Sequence, residues 1–192
     1  MLEKRCVGRS DEFGVFSSES ISANNLVFSF DDWIQDEQEG WFTISPEELK
    51  DFSKEERLKY LRYCYDRDFG VIIGTLDWDR AKHLSNFINH SCEPTLIYDY
   101  NDNIIAARDL LPGEELTLDY GNFVVNTDQD FTCGCGTASC RKRIKKDDWK
   151  QLAHVYGYHF PTFLHPKLEM LFKSEKSVFT AREVMPVVSQ AW

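Results

Sequence analysis

Three closely spaced cysteines constrain this chain more than any other feature. Cys133, Cys135 and Cys140 stand in FTCGCGTASC, and Cys92 stands well upstream in NFINHSCEP. Offsets of two and five residues let one loop supply three thiolates. A remote fourth completes the tetrahedral set that zinc prefers and ties that loop to another segment. Four thiolates close the coordination sphere, so the metal expected here is structural and chemistry must lie beside it. Between the two cysteine segments runs GEELTLDYG, with Glu114, Glu115, Asp119 and Tyr120. A polar site is expected where these segments meet, around Asn89, His90 and Tyr120.

At 192 residues, with 42% hydrophobic and 14% aromatic content, the chain has the makings of one well-buried core with a small appendage. No apolar run approaches the roughly 18 residues that span a bilayer. MLEKRCVGRS lacks the apolar centre of a signal peptide, so a soluble, intracellular protein is expected. Reducing conditions disfavour disulfides, which turns clustered thiols toward metal and leaves Cys6 and Cys64 as ordinary thiols. The formal net charge of −10 argues against direct nucleic-acid binding and suits a basic partner, such as a lysine-rich protein tail. One basic run, Arg141, Lys142, Arg143, Lys145 and Lys146, reads as a solvated flank, with a targeting signal or a phosphate contact as alternatives.

Alternating apolar groups predict strand, turn and strand over 13–30. Ser45-Pro46 with Glu47 and Glu48 predicts a helix start, and Leu49, Phe52, Leu58 and Leu61 a helical stripe through 46–65. FGVIIGTL at 69–76 reads as a β-rich run. TLIYDYNDNIIAARDL at 95–110 reads as a hairpin turning at Asn101-Asp102-Asn103, and 115–118 as a strand after Pro112-Gly113. Trp149, Leu152, Val155 and Tyr156 predict a helix, and Pro161 and Pro166 break the region beyond it into short pieces. Many short strands, one inserted helix and a helical C-terminus predict a mainly β or α+β fold.

NFINHSCEP, GEELTLDYG and CGCGTASC, in that order, resemble the SET-domain lysine methyltransferases with a zinc-binding post-SET segment. EFGVF at 12–16 resembles their opening glycine motif. The resemblance implies a SET domain over 1–130 with a pseudoknot and an inserted helical segment at about 40–80. It also implies a zinc-binding segment over 131–145 and a helical extension over 146–192. It implies methyl transfer from S-adenosylmethionine to a lysine of a histone or another basic protein, in the nucleus if the source is eukaryotic. Tyr120 falls on the catalytic tyrosine, and Cys92, Cys133, Cys135 and Cys140 fall on the zinc ligands. Glu12, Phe13, Gly14, Asn89, His90, Tyr120 and Phe131 fall on cofactor contacts, and Phe30, Leu118 and Tyr120 on the substrate channel. The aromatic C-terminal extension is expected to cover core and is also a candidate homodimer face.

The chain departs from the family pattern at four places. Glu12 replaces a glycine, Phe30 a tyrosine, and Asn86 an arginine. Leu118, where Phe or Tyr is common, brings no hydroxyl to restrain the amine, which leaves room for more than one methylation. These departures define the competing reading, a noncatalytic SET-fold module that binds peptides or proteins.

Overall fold

The computed structural model describes residues 1–8, 12–34, 38–128 and 131–174. β1 (Leu2–Cys6), β2 (Phe13–Ser17) and β3 (Leu26–Phe28) open the chain, followed by α1 (Phe30–Trp33). β4 (Phe42–Ile44), α2 (Lys54–Arg62), β5 (Tyr65–Asp68) and β6 (Val71–Gly74) form an inserted unit. β7 (Asn89–His90), β8 (Leu96–Tyr98), β9 (Ile104–Ala106) and β10 (Glu115–Leu118) come next. α3 (Asp148–Tyr156) and α4 (His165–Ser174) close the described chain. The strands sort into three small sheets, ordered β1-β2-β10-β7, β3-β9-β8 and β4-β6-β5. The fold is α+β, as the sequence pattern predicts.

The β8–β9 hairpin explains why its strands read as nearly continuous apolar runs. Leu96, Tyr98, Ile104 and Ala106 face one core with Val15, Phe28 and Leu116. Ile97 and Ile105 face a second core built from α3 and α4. With both faces covered, polar alternation is lost. The turn forms where expected: Asp102 takes a left-handed φ of 61°, and the Asp99 carboxylate accepts the Asn101 and Asn103 amides at 2.8 and 2.9 Å.

The C-terminal extension buries Trp149, Leu152, Ala153, Tyr156, Phe160, Leu164, Leu168 and Phe172 against the hairpin of its own chain. Val155 drops out of the predicted stripe and is 51% exposed. Pro166 lies in the first turn of α4, where its missing N–H costs nothing, so it sits in a helix start instead of breaking a helix. The part of the expected extension beyond residue 174 lies outside the described residues.

The inserted unit corrects two expectations. It is a helix laid on a three-stranded sheet, not a helical segment alone. The single helix predicted over 46–65 is also two pieces. Ser45 and Glu48 exchange capping bonds of 2.7 and 3.2 Å, but these start only a 3-10 turn over Glu48–Asp51. Phe52 is extended, and Ser53 begins α2 with its own reciprocal cap to Glu56. Leu58 is consequently 59% exposed, and the side chain that anchors α2 is the fully buried Tyr60. Its hydroxyl lies 2.7 and 2.9 Å from the Phe42 and Ile72 carbonyls, which share its one proton.

Asp66 joins this unit to the segment just after the 3-10 turn at Tyr120–Asn122, accepting the Val125 and Asn126 amides at 2.5 and 2.8 Å. Burial pushes its carboxyl up to about 6 despite those bonds. An unfolded aspartate titrates near 3.9, so the folded state binds more protons between about pH 4 and 6. Stability contributed by Asp66 therefore falls as pH rises through that window. Relative to Asp66→Asn, wild type is expected to lose on the order of 2 kcal/mol between pH 4 and 7. Urea midpoints of both proteins across that range check this, and parallel profiles would remove Asp66 as the cause.

Candidate active site and metal centre

The site is assembled by one parallel pairing. β10 runs beside β7 with Thr117 opposite Asn89 and Leu118 opposite His90. The Ser91 amide continues the pairing to the Leu118 carbonyl at 3.0 Å. Two sequence motifs far apart in the chain thus lie side by side, and Asp119-Tyr120 emerges next to Asn89-His90.

Tyr120 opens its 3-10 turn, capped by the Asp119 carboxylate, which accepts the Gly121 amide at 2.9 Å. The Tyr120 hydroxyl donates to the Ile88 carbonyl at 2.8 Å. Burial first, with the negative charge of Glu115 adding to it, pushes the phenol above its ordinary value. It is protonated at neutral pH and acts as a hydrogen-bond donor, not as a resident base.

His90 joins the tyrosine to the cysteines. Its Nδ1 accepts the Tyr120 amide at 3.1 Å, and its Nε2 lies 3.3 Å from Cys92 Sγ. An accepting Nδ1 assigns the proton to Nε2, so the ring donates toward the sulfur. Burial lowers the His90 pKa against the opposing effect of Asp119, which keeps the imidazole neutral.

Asn89 Nδ2 donates to the Phe13 carbonyl at 2.9 Å and to Glu115 Oε1 at 2.8 Å. Gly14 makes room for this arrangement. A Cβ there would collide with Glu115 Oε1 and sit 3.1 Å from Asn89 Nδ2, so the second glycine of the opening motif is kept where backbone and amide approach closely.

Two cavities meet at Tyr120. One, of about 180 Å³, is bordered by Glu12, Phe13, Asn86, Phe87, Asn89 and Tyr120. The other, of about 100 Å³, has walls of Trp33, Tyr63, Tyr65, Tyr98, Leu118 and Phe123, again with Tyr120. Asn86 and Ile88 line both. The Asn86 Nδ2 is buried and has no acceptor among the described residues, an orphan donor of the kind a ligand oxygen satisfies. Beside the first cavity the Lys4 ammonium rests on the Phe87 and Phe13 rings, 3.4 and 4.1 Å from their centroids. Phe131 is 40% exposed, with its ring centroid 6.3 Å from those of both His90 and Tyr120.

The four sulfurs of Cys92, Cys133, Cys135 and Cys140 all lie within 4.8 Å of one another. Tetrahedral zinc at about 2.3 Å from each thiolate requires sulfurs about 3.8 Å apart, so this donor set fits one such ion. Main-chain amides support it: Cys135 N donates to Cys133 Sγ and Arg141 N to Cys92 Sγ, each at 3.4 Å. Glu93 holds the far side of the loop, accepting the Ser139 amide and hydroxyl at 3.1 and 2.9 Å.

The sequence model of the SET domain matches residues 12–121, more than half of the chain. The chain belongs to the SET-domain family. It is 27% identical over 163 residues to the histone-lysine N-methyltransferase SUV39H2 of Xenopus tropicalis, covering 71% of this chain and 38% of that protein. Identity to SUV39H1 of Xenopus laevis is also 27%, over 177 residues, 73% of this chain and 40% of that protein. A shorter match reaches 41% over 73 residues of TRX1 of Oryza sativa, 34% of this chain and 7% of that protein. The chain therefore spans about two-fifths of the length of the first two relatives.

Phe30 stands apart from the other residues expected in the substrate channel. Leu118 and Tyr120 line the aromatic cavity, whereas Phe30 packs edge-on against Trp33 at 5.4 Å and is not among the lining residues. Trp33, Tyr65 and Tyr98 form that wall instead. Sequence reading missed them because an aromatic in a core segment and one facing a cavity look alike. Arg141 is the other correction. It belongs to no solvated basic flank: its side chain is 20% exposed and pairs with a fully buried Asp119.

Proposed function

We propose that this SET domain is a protein-lysine N-methyltransferase that uses S-adenosylmethionine and acts on a histone or another basic protein. One observation carries the reading: two cavities, one of them walled largely by aromatic rings, share Asn86, Ile88 and Tyr120 among their lining residues. Such a pair suits a cofactor on one side and a lysine side chain on the other, with the reacting atoms meeting at the phenol. The relatives' names support the activity. They also support a nuclear setting, and no helix among the described residues is long and apolar enough to cross a membrane.

Glu12, Phe13, Gly14, Asn89 and the His90 backbone would hold the cofactor, with Phe131 packing at the open edge and the Asn86 amide offering its unmatched donor. When bound, S-adenosylmethionine supplies the sulfonium methyl group. A lysine amine must be neutral to accept it, although free lysine titrates near 10.4. The aromatic cavity favours the neutral amine by excluding water. Tyr120, protonated and held by the Ile88 carbonyl, orients the groups that meet there. Leu118 contributes no hydroxyl to this cavity.

Zinc, held by Cys92, Cys133, Cys135 and Cys140, would pin the 131–145 segment against the site. The acidic chain suits a basic substrate segment. The test is transfer of labelled methyl groups to core histones and to a mixed protein extract, with binding of S-adenosylhomocysteine measured in parallel. Labelled lysine supports the proposal. Neither transfer nor cofactor binding would favour the noncatalytic module.

A further inference from the structure

Arg141 occupies an unusual position. It comes directly after the last cysteine of the cluster, yet its side chain leaves the loop. Its guanidinium grips Asp119 in a two-pronged ion pair, with Nη1 2.7 Å from Oδ2 and Nη2 2.5 Å from Oδ1. Its Nε donates to Asp148 Oδ2 at 3.1 Å, in the first turn of α3, and its amide donates to Cys92 Sγ. One residue therefore touches the cysteine cluster, the carboxylate that caps the Tyr120 turn, and the C-terminal extension.

Three features argue that this is more than a surface ion pair. Asp119 is fully buried, so its charge depends on Arg141 for compensation. The paired geometry uses the fork of a guanidinium, which lysine cannot reproduce. Gly121 is also shaped around it: a Cβ there would lie 3.1 Å from Arg141 Nη2, 3.0 Å from Asp148 Cβ and 2.8 Å from Leu152. The turn that presents Tyr120 is packed for the arginine and for α3 together.

We infer that Arg141 is a positioning residue that transmits the state of the cysteine cluster to Tyr120, with α3 bracing the guanidinium from the other side. Ordering of the cluster around its ion fixes the backbone at Arg141, Arg141 fixes Asp119, and Asp119 fixes the turn through the Gly121 amide. The inference rests on the zinc-site and methyltransferase readings of this site.

Hydrogen exchange at residues 119–124 reads the turn directly and requires no activity. Full-length wild type, Arg141→Lys and Arg141→Met would be compared with zinc and after chelation, with bound zinc measured in each. In wild type, chelation is expected to speed exchange there by about tenfold, a coupling of ordinary size. Both variants are expected to retain zinc, since all four thiolates remain. Zinc-loaded, they should exchange as fast as chelated wild type, and chelation should add no more than about twofold. Arg141→Lys keeps the charge near Asp119 and so provides a folded comparison if Arg141→Met does not fold. Normal protection in the zinc-loaded variants, or an undiminished response to chelation, would overturn the inference. S-Adenosylhomocysteine binding to wild type is scored separately: its absence counts against the methyltransferase reading while the exchange data still decide the role of Arg141.

Discussion

Tyr120→Phe is expected to lower the rate of methyl transfer by about a hundredfold or more while leaving a folded, zinc-loaded protein. The substitution removes one oxygen. Among the described residues that oxygen bonds to the Ile88 carbonyl, an interaction worth about 1 kcal/mol of stability. The cost to folding is therefore small. On the proposed reading the cost to reaction is larger, because Tyr120 lines both cavities and an interaction used only at the reacting centre enters the rate in full. S-Adenosylhomocysteine binding should change by no more than a few-fold, since Asn89, Gly14 and Phe13 are untouched. Single-turnover transfer alongside calorimetry separates the two effects. A variant that reacts within a few-fold of wild type would remove Tyr120 from the reacting machinery.

Removing the metal is expected to have the second large effect, on stability and cofactor binding together. A cluster joining Cys92 to Cys133 closes a long loop of chain, and the chain-entropy argument assigns such a closure about 4 kcal/mol. For a domain of this size that is about 10 °C in Tm. Cys135→Ser or a strong chelator should produce a loss of this order and expose 131–146, while Cys6→Ser should change neither quantity, because Cys6 lies on the exposed edge strand β1. S-Adenosylhomocysteine affinity should fall with the metal, since Phe131 and His90 are both placed by the cluster and its neighbours. Thermal unfolding with and without added zinc, with metal content by mass spectrometry, gives the answer. A protein that carries no zinc and melts unchanged after chelation would end the metal-site reading.

Several elements were legible from the chain because their signals are local. The β8–β9 hairpin arises from Asn and Asp residues that accept left-handed turn geometry between apolar runs. The helix over α3 arises from apolar residues at three- and four-residue steps. The start at Ser45 was misleading for an equally local reason: the capping bonds exist, but Phe52 and a second cap at Ser53 restart the chain before a helix can extend. β1 carried no readable signal, because LEKRC is an exposed edge strand with little alternation to detect.

The type and order of the candidate site residues were determined by sequence alone. Four cysteines in metal spacing, Asn89-His90 and Asp119-Tyr120 announce a thiolate cluster beside a polar site, since side-chain chemistry is written in residue identity. The tertiary structure decided which of the remaining side chains join them. Parallel pairing of β7 with β10 puts His90 between Tyr120 and Cys92, and folding of the insert brings Tyr63 and Tyr65 to the cavity that Trp33 and Tyr98 complete, while Phe30 packs outside it. Arg141 looked like one member of a basic run until the fold set it against a buried carboxylate. The physical reason is the same in each case: a charge or ring in sequence has no environment, and desolvation by distant segments decides whether it faces water, fills a core or holds a site together.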